Sequence, residues 1–236
     1  MPTPEQHTSK QFDADLENLR SRVLQMGGLV ESQIVRAIDA LINGNIKLAE
    51  DVINEDHHVN ALEVGIDEDC THVIARRQPA AGDLRMVMAI VKTITDLERI
   101  GDEAEKIARM AKLMYESDRL RAPRFYEVKR AGDLALDMLR RSLDAFAHLD
   151  AGAAAQVVRQ DLDLDDQFRS MIRQLISYMM EDPRTISTSI EILFVAKAIE
   201  RIGDHAKNMA EYVVYLVKGK DVRHVTVEEV EREAAS

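Results

Sequence analysis

Tryptophan is absent from the 236 residues, and aromatic residues make up only 4% of them. Strands favour aromatic and β-branched side chains, so this scarcity argues against a β-rich fold. Cysteine occurs once, at Cys70. One thiol excludes an intramolecular disulfide and a thiolate metal cage, and it fits a reducing compartment. Proline is found only at positions 2, 4, 79, 123 and 183. Between those points run long stretches of Ala, Leu, Ile, Met, Glu and Arg, all good helix formers. No long apolar run exists. The longest, Tyr212 to Val217, is far too short to span a bilayer. The first twenty residues lack the apolar centre of a signal peptide, so a cytoplasmic location is expected. Positive charge is also in deficit: the net charge is −11 and the pI about 5.2. That balance lacks the basic footprint of a nucleic-acid binder and gives no electrostatic hold on anionic lipid.

What is present is periodicity. Apolar residues recur at three- and four-residue steps almost throughout, the pattern of amphipathic helices. The punctuation predicts six long helices. The first runs from about Thr8 to Asn43, stopped by Gly44. The second runs from Ile46 to Arg77, ahead of Pro79. The third starts near Asp83 as N-cap and reaches about Glu116. Pro123 opens the fourth, which ends near Leu149. The fifth runs from Gly152 to Met180, ahead of Pro183, and the sixth from Ser187 to Lys218, ahead of Gly219. The tail from 220 onward has mixed charge and is expected to be loosely held.

Three long helices, a break and three more suggest a repeat. The pentapeptide Glu98-Arg99-Ile100-Gly101-Asp102 recurs as Glu200-Arg201-Ile202-Gly203-Asp204, a shift of 102 positions. The same shift carries Leu62 to Leu164, Ile74 to Ile176, Ala104 to Ala206 and Ala108 to Ala210. The expected architecture is all-α: two tandem three-helix bundles from an internal duplication, over 8–118 and 122–219, with the tail at 220–236.

Glu98 and Asp102 are four residues apart, so both point off one helix face. Glu200 and Asp204 repeat the spacing, and Glu63 and Asp67 offer it on the second helix. Glu63, Glu98 and Glu200 fall on the apolar stripes of their helices. Carboxylates on a packing seam are costly unless compensated, and like charges at i,i+4 repel. Four of them facing one another would need cations, of the hard or borderline kind that carboxylates hold: Mg²⁺, Ca²⁺, Mn²⁺ or iron. The plainer alternative is a solvated face with helix salt bridges, from Lys106 to Asp102 and from Lys197 to Glu200. Gly101 and Gly203 cost helix stability, about 1 kcal/mol each relative to alanine. Their presence in both copies suggests close approach of a helix or ligand, or simple inheritance through the duplication.

The second copy departs from the first. The shift takes Glu63 to Asp165 but Asp67 to Arg169. Asp161, Asp163 and Asp166 lie nearby, the last two pointing in other directions, and the second cluster is expected to differ in nuclearity or affinity. Glu55-x-x-His58 resembles a di-iron ligand motif, but bundles of that kind need it twice, and the shift gives Val157 and Gln160 instead. His205 reads as an extra ligand or a surface residue. Cys70 reads as a small core residue. No nucleophile triad, P-loop or GxGxxG is present.

With these motifs placed, the chain resembles the PhoU family, the accessory proteins of phosphate-specific transport. The resemblance rests on Arg77-Gln78-Pro79 with Asp83-Leu84-Arg85, on Asp96 to Asp102, on Tyr178 to Thr185, and on Ile199 to Asp204. Val217 to Asp221 and Arg223-His224-Val225 extend it into the tail. It implies tandem three-helix bundles, a homodimer and multinuclear clusters of iron, zinc, magnesium or manganese. By residue, the implied metal ligands are Glu63, Asp67, Glu98 and Asp102, then Asp165, Glu200 and Asp204, with Arg169 where the family has an acid. It implies a regulator and not an enzyme. Such proteins restrain the phosphate ABC transporter when phosphate is plentiful, through its ATPase subunit. They also help a sensor histidine kinase keep the starvation response off. The protein would then reach the membrane only through partners. The rival class is a carboxylate-bridged di-metal oxidase or hydrolase on a helical bundle.

Overall fold

The computed structural model describes residues 10–116 and 126–236. Among them are α1 (Lys10–Asn43), α2 (Ile46–Glu55), α3 (His57–Arg77), α4 (Ala81–Glu116), α5 (Tyr126–His148), α6 (Ala151–Glu181), a 3₁₀ turn (Pro183–Thr185), α7 (Ile186–Lys218) and α8 (Val227–Ala235). There is no strand among the described residues, so the fold is all-α. The expected start of the first helix at Thr8, and the opening of the fourth at Pro123, lie outside the described residues.

The helix ends follow local chemistry. Asn45 caps α2 by accepting from the Leu48 amide at 3.0 Å, and Asp150 caps α6 by accepting from Ala153 at 2.9 Å. Gly44 and Gly219 hold φ of +67° and +72° where α1 and α7 stop, the left-handed conformation that glycine adopts without strain. The helix expected to start at Asp83 begins at Ala81. Asp83 therefore sits in the first turn, where its charge faces the positive end of the helix.

Two features depart from expectation. The second predicted helix is two helices, broken at Asp56. No proline causes the break. Asp56 is buried and turned inward, and its carboxylate accepts from Gln33 Nε2 of α1 at 3.1 Å. The turn tightens there, with the Val59 amide donating to the Asp56 carbonyl three residues back. The tail is not loose. Thr226 and Glu229 form a capping box that starts α8, and Val222 and Val230 are buried. Arg159 of α6 pairs with Glu231, which fastens α8 across α6. Charge counts alone hide such a cap and the two apolar anchors.

The first half packs α1, α2 and α3 around α4, and the second packs α5 and α6 around α7. The halves join along α4 and α7, with a second contact between α1 and α5. Lys92 lies over the Tyr212 ring, Asp96 meets His205 and Asn208, and Glu103 meets Arg201. Advancing along α4 thus means retreating along α7, so the two run antiparallel. Gly101 and Gly203 stand level at the middle of this crossing, and the halves are related there by a pseudo-dyad. One continuous apolar core crosses the junction, from Leu19 and Ile34 through Ile100 and Ile202 to Phe146.

Asp96 is the polar centre of the junction. It is buried, and its Oδ1 accepts from His205 Nδ1 at 2.7 Å and Asn208 Nδ2 at 3.2 Å. Burial, reinforced by the Asp96 charge, holds the Tyr212 phenol well above its ordinary range. Asp96→Ala leaves two half-buried donors without their acceptor, so a loss of about 1–3 kcal/mol is expected. Urea denaturation tests this; a change below half a kilocalorie would remove Asp96 from the account of how the halves adhere.

Candidate functional site

The first acidic group forms where α3 packs on α4. Glu63 of α3 and Glu98 and Asp102 of α4 are half-buried, and Asp67 is exposed. Burial raises the Glu63 carboxyl above its ordinary value, with Asp67 and Asp102 adding to the rise and Thr95 and Arg99 opposing it. Burial likewise raises Glu98, helped by Asp102, Glu63 and Asp56. The four expected carboxylates of the first half are thus electrostatic neighbours. Arg99 lies among them, 3.4 Å from Glu98 Oε2 and 3.6 Å from Asp102 Oδ2.

The second group forms where α6 packs on α7. Burial drives Asp204 up to about 6, assisted by the Glu200 and Asp161 charges. Glu200 is met by Lys197 Nζ at 2.5 Å. Asp165 is held by Arg169 at 3.0 Å, and the same guanidinium reaches Asp166 at 2.9 Å. Arg169 therefore occupies by charge the place where the first half has Asp67. Asp161 is buried and takes Lys207 Nζ at 2.7 Å. Further along α7, burial pushes Glu211 up to about 7, with Asp161 adding and Lys207 opposing.

Each motif glycine serves its own half. A Cβ on Gly203 would overlap the Leu164 side chain of α6. A Cβ on Gly101 would stand 3.1 Å from Gln33 Oε1, 3.4 Å from Asp56 Oδ1 and 3.5 Å from Val59 Cγ1. Both glycines let a helix approach, one with an apolar neighbour and one with polar neighbours.

Other candidates resolve simply. His57 and His58 are exposed, and His57 Nδ1 lies 2.7 Å from the Asn54 carbonyl. Cys70 is buried, its thiol pushed up to about 12, first by burial. His205 is largely covered and pairs with Asp96 of the α4–α7 junction. Among the described residues, no three His, Cys, Asp or Glu side chains stand in a ready-made metal-holding group. No described helix is long and apolar enough to cross a membrane. Asp56 and Gln33 escaped the sequence reading. A signal existed for Asp56, which falls on the stripe between Val52 and Val59.

The model of the PhoU domain matches residues 23–111 and again 128–213. The chain belongs to the PhoU family. One matched segment falls in each half. A Burkholderia protein named phosphate-specific transport system accessory protein PhoU homolog is 48% identical over 233 residues, 98% of each chain. The Escherichia coli protein named phosphate-specific transport system accessory protein PhoU is 46% identical, over 96% of this chain and 93% of its own. These names describe an accessory protein and not an enzyme. The crystal structure of PhoU from Pseudomonas aeruginosa superposes with a TM-score of 0.85 at 46% identity, covering 89% of this chain and all of that one. The regulatory protein PhoU of Streptococcus pneumoniae gives 0.83 at 30% identity, over 89% and 99%.

Proposed function

We propose that this chain is an accessory regulator of phosphate transport, working in the cytoplasm and carrying metal ions on its two acidic faces. The observation that carries the role is its match, over nearly its full length, to relatives named as accessory proteins of phosphate-specific transport. In this reading the protein restrains the phosphate ABC transporter through its ATPase subunit. It also helps a sensor histidine kinase keep the starvation response silent when phosphate is abundant. It acts as a homodimer and meets the membrane through those partners.

The metal part rests on the donor set. Carboxylates without nitrogen or sulfur suit Mg²⁺, Mn²⁺ or iron, with zinc a softer competitor. In the first half Glu63, Asp67, Glu98 and Asp102 would hold the ions; in the second, Glu200 and Asp204 with Asp161 or Asp165. Crowded, partly buried carboxylates with raised pKa are the environment that a cation relieves. Arg99 and Lys197 stand in as counter-charges and would give way on loading. A bound ion would neutralise an acidic surface and let it dock against another acidic surface.

Two measurements test this. Deleting the gene is expected to switch on phosphate-starvation genes in phosphate-rich medium; unchanged expression would refute the regulatory role. Metal analysis of the purified protein is expected to find ions that a Glu98→Gln/Glu200→Gln variant loses; equal, near-zero metal in both would refute the metal role alone.

A further inference from the structure

The motif Tyr178 to Thr185 and the turns on either side of it play no part in the acidic faces, yet they carry an exposed apolar surface. Ile186, Ile190 and Phe194 follow one another at four-residue steps and form one exposed ridge along the start of α7. Ile176 and Met180 make the same step on the last turns of α6. Two contacts bracket this stretch and bring the two rows side by side. Lys197 lies over the Phe168 ring, and Thr185 Oγ1 donates to the Tyr178 carbonyl at 3.2 Å. On the other flank the antiparallel crossing, in which Glu103 meets Arg201, sets Phe194 level with Met110 of α4, beside the exposed Leu113.

The duplication gives a comparison within the chain. The shift of 102 pairs Ile176 with Ile74, Ile186 with Leu84 and Ile190 with Met88, so a narrow apolar row is common to both halves. It pairs Met180 with Gln78 and Phe194 with Lys92. Met180 is 80% exposed and Phe194 61% exposed, so the two most prominent side chains of this surface are polar or charged in the other half. The broad patch therefore exists once per chain. With Leu113 it exposes on the order of 600 Å², at the top of the range for the largest patch on an ordinary monomer and close to the about 800 Å² that each partner gives to a standard interface.

The charges around the patch decide what covers it. Three carboxylates on its rim are matched by cations of the same chain: Asp182 by Arg184 at 2.8 Å, Glu200 by Lys197 at 2.5 Å and Asp165 by Arg169 at 3.0 Å. Arg173 and Glu181 add one charge of each sign. Two chains of net charge −11 repel each other, and they meet most favourably where the local charge is balanced. The first-half seam, with Asp67 exposed beside Glu63, Glu98 and Asp102, has no such balance. Aliphatic surface is complementary to itself, and a patch present once per chain closes an assembly at two. We infer that Ile176, Met180, Ile186, Ile190 and Phe194, flanked by Leu113, form the isologous interface of a homodimer, with α6 and α7 of one chain set on α6 and α7 of its partner. The inference rests on the homodimer reading above and adds where the two chains meet.

Sedimentation equilibrium of the full chain tests this. Wild type is expected to be a dimer. Phe194→Glu and Ile190→Glu are each expected to weaken dimerisation by about a hundredfold or more, because the two-fold axis buries the new charge twice. Met88→Glu, at the position of Ile190 in the first half, is expected to dimerise as wild type does. Should a glutamate variant fail to fold, Phe194→Cys carries the test. A short bismaleimide is expected to join two such chains and not two wild-type chains, whose single Cys70 is buried. Dimers of wild-type strength in both glutamate variants, or Phe194→Cys dimers that do not cross-link, would overturn the inference and leave the homodimer reading intact. So would loss of the dimer in Met88→Glu. A monomeric wild type would overturn the inference and the homodimer reading together, and leave the regulatory role to the gene deletion.

Discussion

Between pH 8 and pH 5 the protein is expected to become more stable, not less. Glu211 lies at about 7 and Asp204 at about 6, both lifted first by burial. Glu63, Glu98 and Asp56 are shifted the same way. A raised carboxyl binds its proton more readily in the folded chain than in the unfolded one. Folding is therefore favoured as pH falls through 7 and 6 and disfavoured as pH rises through them. A full unit is about 1.4 kcal/mol, and partial exposure discounts these shifts, so a combined gain of about 3 kcal/mol is expected. For a chain of this size that is roughly 6–12 °C in melting temperature. Below about pH 4 the sign reverses. The carboxyls of Asp221, Glu55 and Glu231 are held low by Arg223, Arg36 and Arg159, and those pairs fail as they take up protons. Calorimetry across pH 3–8 without divalent ions would show a maximum near pH 5. Glu211→Gln is expected to flatten the slope between 6 and 8. A profile that rises toward pH 8 would contradict the burial-driven shifts.

Phe146→Ala is expected to lower stability by about 3–5 kcal/mol, or roughly 6–20 °C. Phe146 is the largest of the fully buried side chains, set on α5 within the shared core. Its loss removes apolar burial and leaves a cavity that stiff neighbouring helices close only in part. Phe194 is the comparison, at 61% exposed. Phe194→Ala is expected to change stability by about half a kilocalorie or less. Similar melting temperatures for the two variants would mean that the α5 packing is wrong.

How far the sequence foretold these features depends on the range of the forces involved. Helix faces are local, and so are the stops at Gly44 and Gly219; periodicity and residue type are enough to place them. The duplication was legible because five identical residues sit at equal depth in two similar helices. The break at Asp56 was not, because the partner that Asp56 turns to is Gln33, 23 positions away on another helix. His205 was ambiguous for the same reason, its partner Asp96 being 109 positions distant. That Glu63 and Glu98 would be drawn into a packing seam was legible, since both lie on apolar stripes, whereas Asp67 stays exposed. The second half was harder. Its stripe also offers Asp161, and only three-dimensional packing distinguishes an acid pressing on Asp204 from one held by Arg169.

The antiparallel crossing of α4 and α7 also bears on how the two halves were free to diverge. In a dimer of identical chains, every contact occurs twice, and a change on one side is forced on the other. Here both sides of the same kind of interface are encoded separately. Asp96 acquired His205 and Asn208 as partners without a mirrored copy of that triad, because the shift carries Asp96 to Ala198. Arg169 likewise entered one acidic face while Asp67 stayed on the other. Covalent linkage converted an obligatory symmetry into an optional one, and the chain has two unequal faces as a result.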